Sequence, residues 1–209
     1  NASVERQPTE AELQKMEAIL ADAVEAGYVG FSTDNIPFHY LANEPNQHLK
    51  IPSPYATRGE QKRLLQILRD NDRVWQVTPD AINRLGTFKR FLFTSGRLYG
   101  KALRTTALTA IDLKHDRTVW KVFLQIAKFF NSRIMKGNFH FQVLSTPFHL
   151  WSEGPISPIF EEFEATRPLL ACDIDDREGR HKVLSDPDYI EKFERDWVDK
   201  KIVSTFQRD

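Results

Sequence analysis

The sequence predicts an α/β fold made of repeated helix–strand units, followed by a helical region. Three observations support this prediction. A helical pattern that ends at Gly27 leads directly into a short apolar strand and a polar loop, the unit from which α/β barrels and doubly wound sheets are built. Three more short strands follow, each after a helical stretch, and no strand pattern occurs after residue 150. In such folds the loops at the carboxyl ends of the strands carry the chemistry.

The first helix is predicted from Thr9 to Gly27. Thr9 and Glu12 have the spacing of a capping box, in which each side chain accepts a hydrogen bond from the other residue's backbone N–H. Apolar residues then recur at helical spacing, and Gly27 supplies the left-handed residue at the helix end. The strand Tyr28–Thr33 follows. The segment Asp34–Arg58 is rich in Pro, Asn and His, and loops of this length are commonly functional or disordered.

Helices and strands continue to alternate as far as residue 145. The patterns predict helices Arg58–Asn71, Thr87–Lys101 and Thr118–Ser132, and strands Arg73–Thr78, Thr106–Leu113 and Asn138–Ser145. Past a loop at 147–158, they predict an amphipathic piece and two charged helices, at Ile159–Ala165, near Asp176–Leu184 and at Pro187–Lys200. The domain boundary is therefore expected in the loop.

Four β/α units leave two architectures open. The first is a partial TIM-type (β/α) barrel, because a closed barrel of eight strands takes about 250 residues and this chain has 209. The second is a small open parallel sheet, whose edges must be covered or paired. In either case residues 1–150 form the β/α part and residues 151–209 a helical appendage.

Composition narrows the class of function. Lys+Arg and Asp+Glu number 29 each, and this balance argues against a nucleic-acid-binding protein, which normally shows a basic excess. No apolar run approaches the roughly 20 residues that span a bilayer. The single cysteine, Cys172, excludes an internal disulfide and fits a cytoplasmic protein. Because the chain begins at Asn1 without an initiator methionine, we expect a segment of a longer protein.

Two groups of polar residues could carry chemistry on the later strands. Asp112 lies at the C-terminal end of the third strand and is followed by Lys114 and His115. This group is either an acid–base or metal cluster, or a turn cap with two solvated neighbours. His140 and Gln142 alternate along the fourth strand. They are either polar groups inside a barrel or the solvent face of an edge strand. None of the six histidines has HxH or HExxH spacing.

The end of the first strand offers further candidates. Ser32 and Thr33 carry hydroxyl groups there, and His39 lies in the loop that follows, where a histidine can equally be a surface residue of no role. The flanking sequence lacks the G-x-S-x-G pattern of a nucleophile elbow. Glycine-rich phosphate loops are also absent from the sequence.

Two motifs together resemble a known family. The first, R-x-P-T-x-x-E-L followed by M-x-x-I-L-x-x-A-V-E-A-G-x-x-G-F-S-T, runs from Arg6 to Thr33. The second pairs Arg167-Pro168-Leu169-Leu170 with Val183-Leu184-Ser185-Asp186-Pro187. These segments resemble the N-acyl-D-amino-acid deacylase (D-aminoacylase) branch of the amidohydrolase superfamily.

The resemblance implies a TIM-type barrel that hydrolyses the amide bond of a small N-acyl amino acid with one or two zinc ions. The family's metal ligands are an HxH on the first strand, histidines at the ends of the fifth and sixth strands, and an aspartate on the eighth. This chain would be a central segment that lacks the HxH and the late aspartate. We therefore expect zinc, or another divalent metal, in the full-length protein and no activity from this segment alone.

Both internal histidine positions differ from the family. Thr78-Pro79-Asp80 stands where the family has Thr-His-Ile-Arg, and Ile111-Asp112-Leu113-Lys114 stands where it has Ser-His-Leu-Lys. A carboxylate can bind a divalent ion, whereas the side chain of Pro79 cannot. The resemblance thus predicts a metal ligand at Asp112, catalytic roles for Asp112, Lys114 and His140, and substrate contacts by Ser32, Thr33 and His39.

The same two replacements support a second hypothesis, a degenerate barrel that no longer catalyses a reaction. Such a module would serve binding or oligomerisation. A partial barrel with exposed sheet edges would self-associate to protect them, so a homo-oligomer is the expected state.

Overall fold

The computed structural model describes residues 2–41, 45–46, 48–80, 83–108, 118–143, 151 and 158–199. The chain divides into two compact units. We call the first the sheet unit, which comprises Asn1–Pro37 and Ile51–Thr146, and the second the helical unit, which comprises Phe38–Lys50 and Pro147–Asp209. The β/α part predicted from the sequence, residues 1–150, includes 38–50, which the structure groups with the helical unit instead.

In its described residues the sheet unit contains four parallel strands, which confirms the predicted α/β class. They are β1 (Gly30–Asp34), β2 (Val74–Thr78), β3 (Arg104–Ala107) and β4 (Asn138–Phe141), and they lie side by side in the order β1-β2-β3-β4. β3 starts two residues before its predicted beginning at Thr106, and the later part of that prediction, 109–113, falls outside the described residues.

Helices precede and connect the strands. After a single turn at Ala2–Glu5 they are α1 (Glu10–Glu25), α2 (Arg58–Asp70), α3 (Arg84–Phe91), α4 (Gly96–Tyr99) and α5 (Val119–Phe130). The predicted capping box of α1 is confirmed: Thr9 Oγ1 accepts from the backbone N of Glu12 at 3.3 Å, and Glu12 Oε2 accepts from the backbone N of Thr9 at 2.8 Å. Arg6 donates to both carboxylate oxygens of Glu12, and these bonds hold the pKa of that carboxyl well below its usual range.

The predicted continuous helix Thr87–Lys101 is wrong. α3 instead passes into a 3-10 turn at Leu92–Thr94, and α4 begins after Ser95, whose backbone is extended. The Ser95 hydroxyl donates to the carbonyl oxygen of Met135 at 2.7 Å and caps the backbone N of Leu98 at 3.2 Å. These contacts replace the helical hydrogen bonds at this point, so the tertiary structure overrides the local helical pattern.

The order of the strands determines where the helices lie. Each described strand pairs with the next strand along the chain, and crossovers between parallel strands are right-handed in nearly all proteins. Successive crossovers therefore place their helices on one face of the sheet. The buried core agrees, because one hydrophobic cluster joins helical side chains to alternate strand residues: Leu20, Val24, Leu64, Leu65, Leu68, Phe91 and Phe130 with Trp75, Val77, Ala107 and Phe139. We call this side the helix face.

Arg69 is an unusual member of the sheet unit's interior, with only 2% of its surface exposed. Its guanidinium donates from Nε to the carbonyl oxygen of Lys101 at 2.9 Å and from Nη2 to that of Phe93. Its Cζ lies 4.8 Å from the ring centre of Tyr99. Burial lowers the pKa of Arg69. One side chain on α2 therefore holds the backbone on both sides of α4.

Replacing Arg69 with methionine is expected to lower the free energy of unfolding by about 2–4 kcal/mol, because each buried carbonyl that loses its donor costs roughly 1–3 kcal/mol, partly offset by removal of a buried charge. Urea denaturation measures the change. Arg97→Met is the matched control, since Arg97 is exposed and its loss should change stability by less than about 0.5 kcal/mol. Equal stability of the two variants would contradict this role of Arg69.

The helical unit contains α6 (Arg167–Leu170), α7 (Arg177–Leu184) and α8 (Pro187–Val198). The predicted amphipathic piece at 159–165 is formed by two 3-10 turns, Pro158–Glu162 and Glu164–Thr166. In α8, Phe193 and Trp197 stack on each other with ring centres 5.9 Å apart. Among the described residues, no helix combines the length and apolar character needed to cross a membrane.

Segment 38–50 is tied into the helical unit by Tyr40. Its backbone forms an antiparallel bridge to Lys50, and its backbone N donates to Glu161 Oε2 at 3.3 Å. The guanidinium carbon of Arg167 lies 3.3 Å from the centre of the Tyr40 ring, and Arg167 also pairs with Glu161 at 3.4 Å. A cation over an aromatic ring, paired with a carboxylate, gives this loop a defined position.

Candidate functional site

The second face of the sheet carries a line of polar side chains. Ser32 pairs with Gln76, Gln76 with Thr106, and Thr106 with His140, one residue on each strand. We call these four residues the polar row. Ser32 and His140 are exposed, and Gln76 and Thr106 are partly exposed.

The alternation of side chains along each strand produces this arrangement. On β2, Trp75 and Val77 are buried among the helices and Gln76 between them is partly exposed; on β4, Phe139 is fully buried and His140 is exposed. Buried and exposed side chains thus alternate along each strand, and the polar row consists of exposed or partly exposed ones. Its members share one face of the sheet because the strands are parallel and in register.

Spacing decides which members of the row can act together. Neighbouring strands lie about 4.8 Å apart, so adjacent members can contact the same small molecule. Ser32 and His140, at opposite ends, are separated by three strand spacings, roughly 14 Å. They cannot form a nucleophile–base pair, but the row as a whole can contact an elongated ligand.

His140 makes one hydrogen bond within its own strand. Its Nε2 lies 2.9 Å from Oδ1 of Asn138, two residues earlier and therefore on the same face. An amide oxygen accepts hydrogen bonds, so Nε2 donates to it in the tautomer that carries the ring proton there, and in that tautomer Nδ1 is the proton acceptor.

The loop that leaves β1 is fixed by side-chain hydrogen bonds. Oδ1 of Asp34 accepts from the backbone N of Ile36 at 2.9 Å, and the Asp34 carbonyl accepts from the hydroxyl of Ser53 at 2.5 Å. Arg90 donates from Nη1 to the buried side chain of Asn35 and from Nη2 to the carbonyl of Pro54 at 2.6 Å. Burial lowers the pKa of Arg90. These contacts fix the position of the loop at the carboxyl end of β1, the strand that carries Ser32.

The loop after β2 is likewise held by local bonds. Oδ1 of Asp80 accepts from the backbone N of Asn83 at 3.0 Å, and its carbonyl accepts from the Thr87 hydroxyl at 2.8 Å. The sequence here is Thr78-Pro79-Asp80, where the resemblance would place a histidine. Among the residues that the structure describes, no three His, Cys, Asp or Glu side chains are grouped as metal ligands.

The residues predicted from sequence fall in different places. Ser32 and His140 belong to the polar row. Thr33 lies on the helix face, 7% exposed, where its hydroxyl accepts from Nε1 of Trp75 at 2.9 Å. His39 belongs to the helical unit, where its ring lies edge-on to that of Phe38. Asp112 and Lys114 lie outside the described residues, so their predicted roles stay predictions.

Gln76 and Thr106 are candidate site residues that the sequence reasoning missed. Gln76 lies inside a predicted strand, and Thr106 is the first residue of another. Neither residue belongs to a recognised motif. The sequence does contain a signal for Gln76, because it is the polar residue between two apolar ones that are buried. What the sequence did not give was the register that aligns it with Ser32.

Comparison with known proteins finds similar mycobacterial proteins that are described as uncharacterized. The chain is 33% identical over 192 residues to uncharacterized protein Rv2913c of Mycobacterium tuberculosis, and equally to uncharacterized protein Mb2937c of Mycobacterium bovis. The match covers 91% of this chain and 31% of each relative. The chain therefore spans about a third of the length of these relatives. No protein-family model and no solved structure matches the chain.

Proposed function

We propose that this chain is a segment of a (β/α)-barrel hydrolase that cleaves the amide bond of N-acyl amino acids or related small molecules. In this proposal the polar row belongs to the substrate site. The motif resemblance from Arg6 to Thr33 supplies the reaction class. A cytoplasmic location fits the single cysteine of the sequence.

The polar row is the observation that carries the proposal. In a (β/α) barrel the helices cover the outer face of the sheet and the inner face lines the interior, with the active site at the carboxyl ends of the strands. The sequential parallel strands described here, with helices gathered on one face, are compatible with part of such a barrel and support the proposal. Its second face carries hydroxyl, amide and imidazole groups in one line, which suits a polar ligand.

These side chains match the needs of amide hydrolysis. As a water molecule attacks the carbonyl carbon, its proton must be accepted, and a proton must be given to the departing amine. Nδ1 of His140 is available as the acceptor, and the resulting imidazolium can return the proton to the amine nitrogen when the carbon–nitrogen bond breaks. Gln76, Thr106 and Ser32 can donate hydrogen bonds to the substrate's carbonyl or carboxylate oxygens.

Zinc does not fit the described residues. Pro79 occupies a position where the resemblance expects a histidine, and no ligand group of three is formed in the described part of the chain. We therefore derive no step through a metal in this segment and assign it substrate contact and proton transfer. Metal ligation by Asp112 remains a prediction of the resemblance.

A second candidate function is a non-catalytic module for binding or self-association. The proline at position 79 and the lack of a metal-ligand group in the described residues favour it. Light scattering of the purified chain separates this candidate from the first: a stable homo-oligomer without hydrolysis by the full-length protein would support the module, and a monomer would count against it.

The experiment that tests the proposed function is an amidase assay on the full-length natural protein. N-acetyl derivatives of D- and L-amino acids are incubated with the enzyme, and the released α-amine is measured. We expect saturable release from at least one member of the set. If free amine does not exceed the uncatalysed background for any substrate, with zinc supplied or with zinc removed by a chelator, the proposed function is wrong.

A further inference from the structure

The helix face of β1 contains a cavity of about 140 Å³. Its apolar walls come from α1, α2, β1 and β2, chiefly Met16, Leu64, Phe31 and Trp75, and the turn at Ala56 also lines it. Phe31 and Trp75 lie on the face of the sheet opposite to the polar row. The cavity is therefore separate from the candidate substrate site.

Two hydroxyl groups around this cavity are committed to other partners. The hydroxyl of Thr33 accepts from the Trp75 indole at 2.9 Å, and that of Ser53 donates to the carbonyl of Asp34 at 2.5 Å. Glu60, in the first turn of α2, also lines the cavity. Burial raises the pKa of its carboxyl, although the backbone N–H of Thr57 opposes the shift. Glu60 thus offers an acceptor at the edge of an apolar space.

Size and lining together define the class of molecule that fits. An apolar cavity of about 150 Å³ in another protein stays dry and binds benzene. The cavity here has a similar volume and mostly apolar walls, with a carboxyl group at one side. A six-membered ring fills such a space. A hydrogen-bond donor on that ring can reach the carboxyl group of Glu60 at the edge of the cavity. An anionic group on the ring would instead meet the like charge of Glu60.

We propose that this cavity is a binding site for a small, neutral, ring-sized apolar molecule that carries one hydroxyl or amino donor for Glu60. The proposal does not depend on the proposed hydrolase activity, because the cavity lies on the other face of the sheet.

Phenol, benzene and benzoate are suitable probes for titration of the isotope-labelled 209-residue chain. The readout is the NMR signal of the indole N–H of Trp75, a residue that lines the cavity. We expect saturable shifts with phenol and benzene, phenol binding at least fivefold more tightly, and no saturable shift with benzoate. Absence of a saturable Trp75 shift with phenol would overturn the proposal.

Two variants test the geometry. Ala56→Leu should fill the space and weaken phenol binding at least tenfold, whereas Ala11→Leu, on the exposed side of α1, should leave binding unchanged. Glu60→Leu should abolish the preference for phenol over benzene while benzene still binds, and this result stands even if Ala56→Leu fails to fold. Unchanged phenol preference in Glu60→Leu would overturn the assigned ligand class.

Discussion

Replacing Phe139 with alanine is expected to lower the free energy of unfolding of the sheet unit by about 3–5 kcal/mol, the usual cost of removing a fully buried phenylalanine. Phe139 lies on the helix face of β4 with 0% of its surface exposed. Its ring centre is 4.8 Å from that of Phe91, 5.4 Å from that of Phe130 and 5.0 Å from that of Phe141. It therefore joins helices α3 and α5 to the sheet.

The matched control for this substitution is Phe129→Ala. Phe129 neighbours Phe130 on α5 but is 42% exposed, so its replacement leaves no enclosed cavity and should cost less than half as much. Urea denaturation followed by circular dichroism and by tryptophan fluorescence gives both values, since Trp75 reports on the same core. If the two variants lose equal stability, Phe139 is not the central packing residue described here.

Much of the fold could be predicted from local signals. The Thr9–Glu12 capping box, the apolar face of α1 and Gly27 with its positive φ of 97° gave the first helix and its end almost to the residue. These features are short-range, because each involves residues within one or two helical turns. Parallel pairing also followed from the sequence, since a helix between two strands leaves room for the crossover that parallel strands need.

The sequence failed where distant residues decide the local structure. The pattern of Thr87–Lys101 is helical, yet the carbonyl of Met135 takes the Ser95 hydroxyl and interrupts the helix. The attachment of segment 38–50 to the helical unit depends on Tyr40, Glu161 and Arg167, which are far apart in sequence. Neither the helix interruption nor this attachment can be predicted from the residues that are close in sequence.

The candidate site likewise combines features that local sequence predicts with features that depend on distant residues. Ser32 and His140 were identified one at a time by residue type and by position on a strand. Their membership in one row, together with Gln76 and Thr106, required the register of four strands. Thr33, predicted beside Ser32, lies on the opposite face, because consecutive residues of a strand alternate between faces. Strict application of the two-residue alternation to this strand assigns Ser32 and Thr33 to opposite faces.

Replacing His140 with alanine is expected to lower kcat/KM of the full-length protein for its N-acyl amino acid substrate by about 10²–10⁴-fold, the usual contribution of a general acid–base group. His140 is exposed, and its known hydrogen bond is to Asn138 on the same strand. Its removal should therefore leave stability nearly unchanged, within about 0.5 kcal/mol. This separation of activity from stability is what a proton-transfer role predicts.

The most direct test of the polar row as a substrate site compares His140→Ala with His181→Ala. His181 is also exposed but lies on α7 of the helical unit, so its replacement controls for the loss of an imidazole. Measured as kcat/KM at equal folded concentration, His140→Ala should fall at least a hundredfold while His181→Ala stays within threefold of the wild type. A His140→Ala enzyme that hydrolyses its substrate at the wild-type rate would contradict the account.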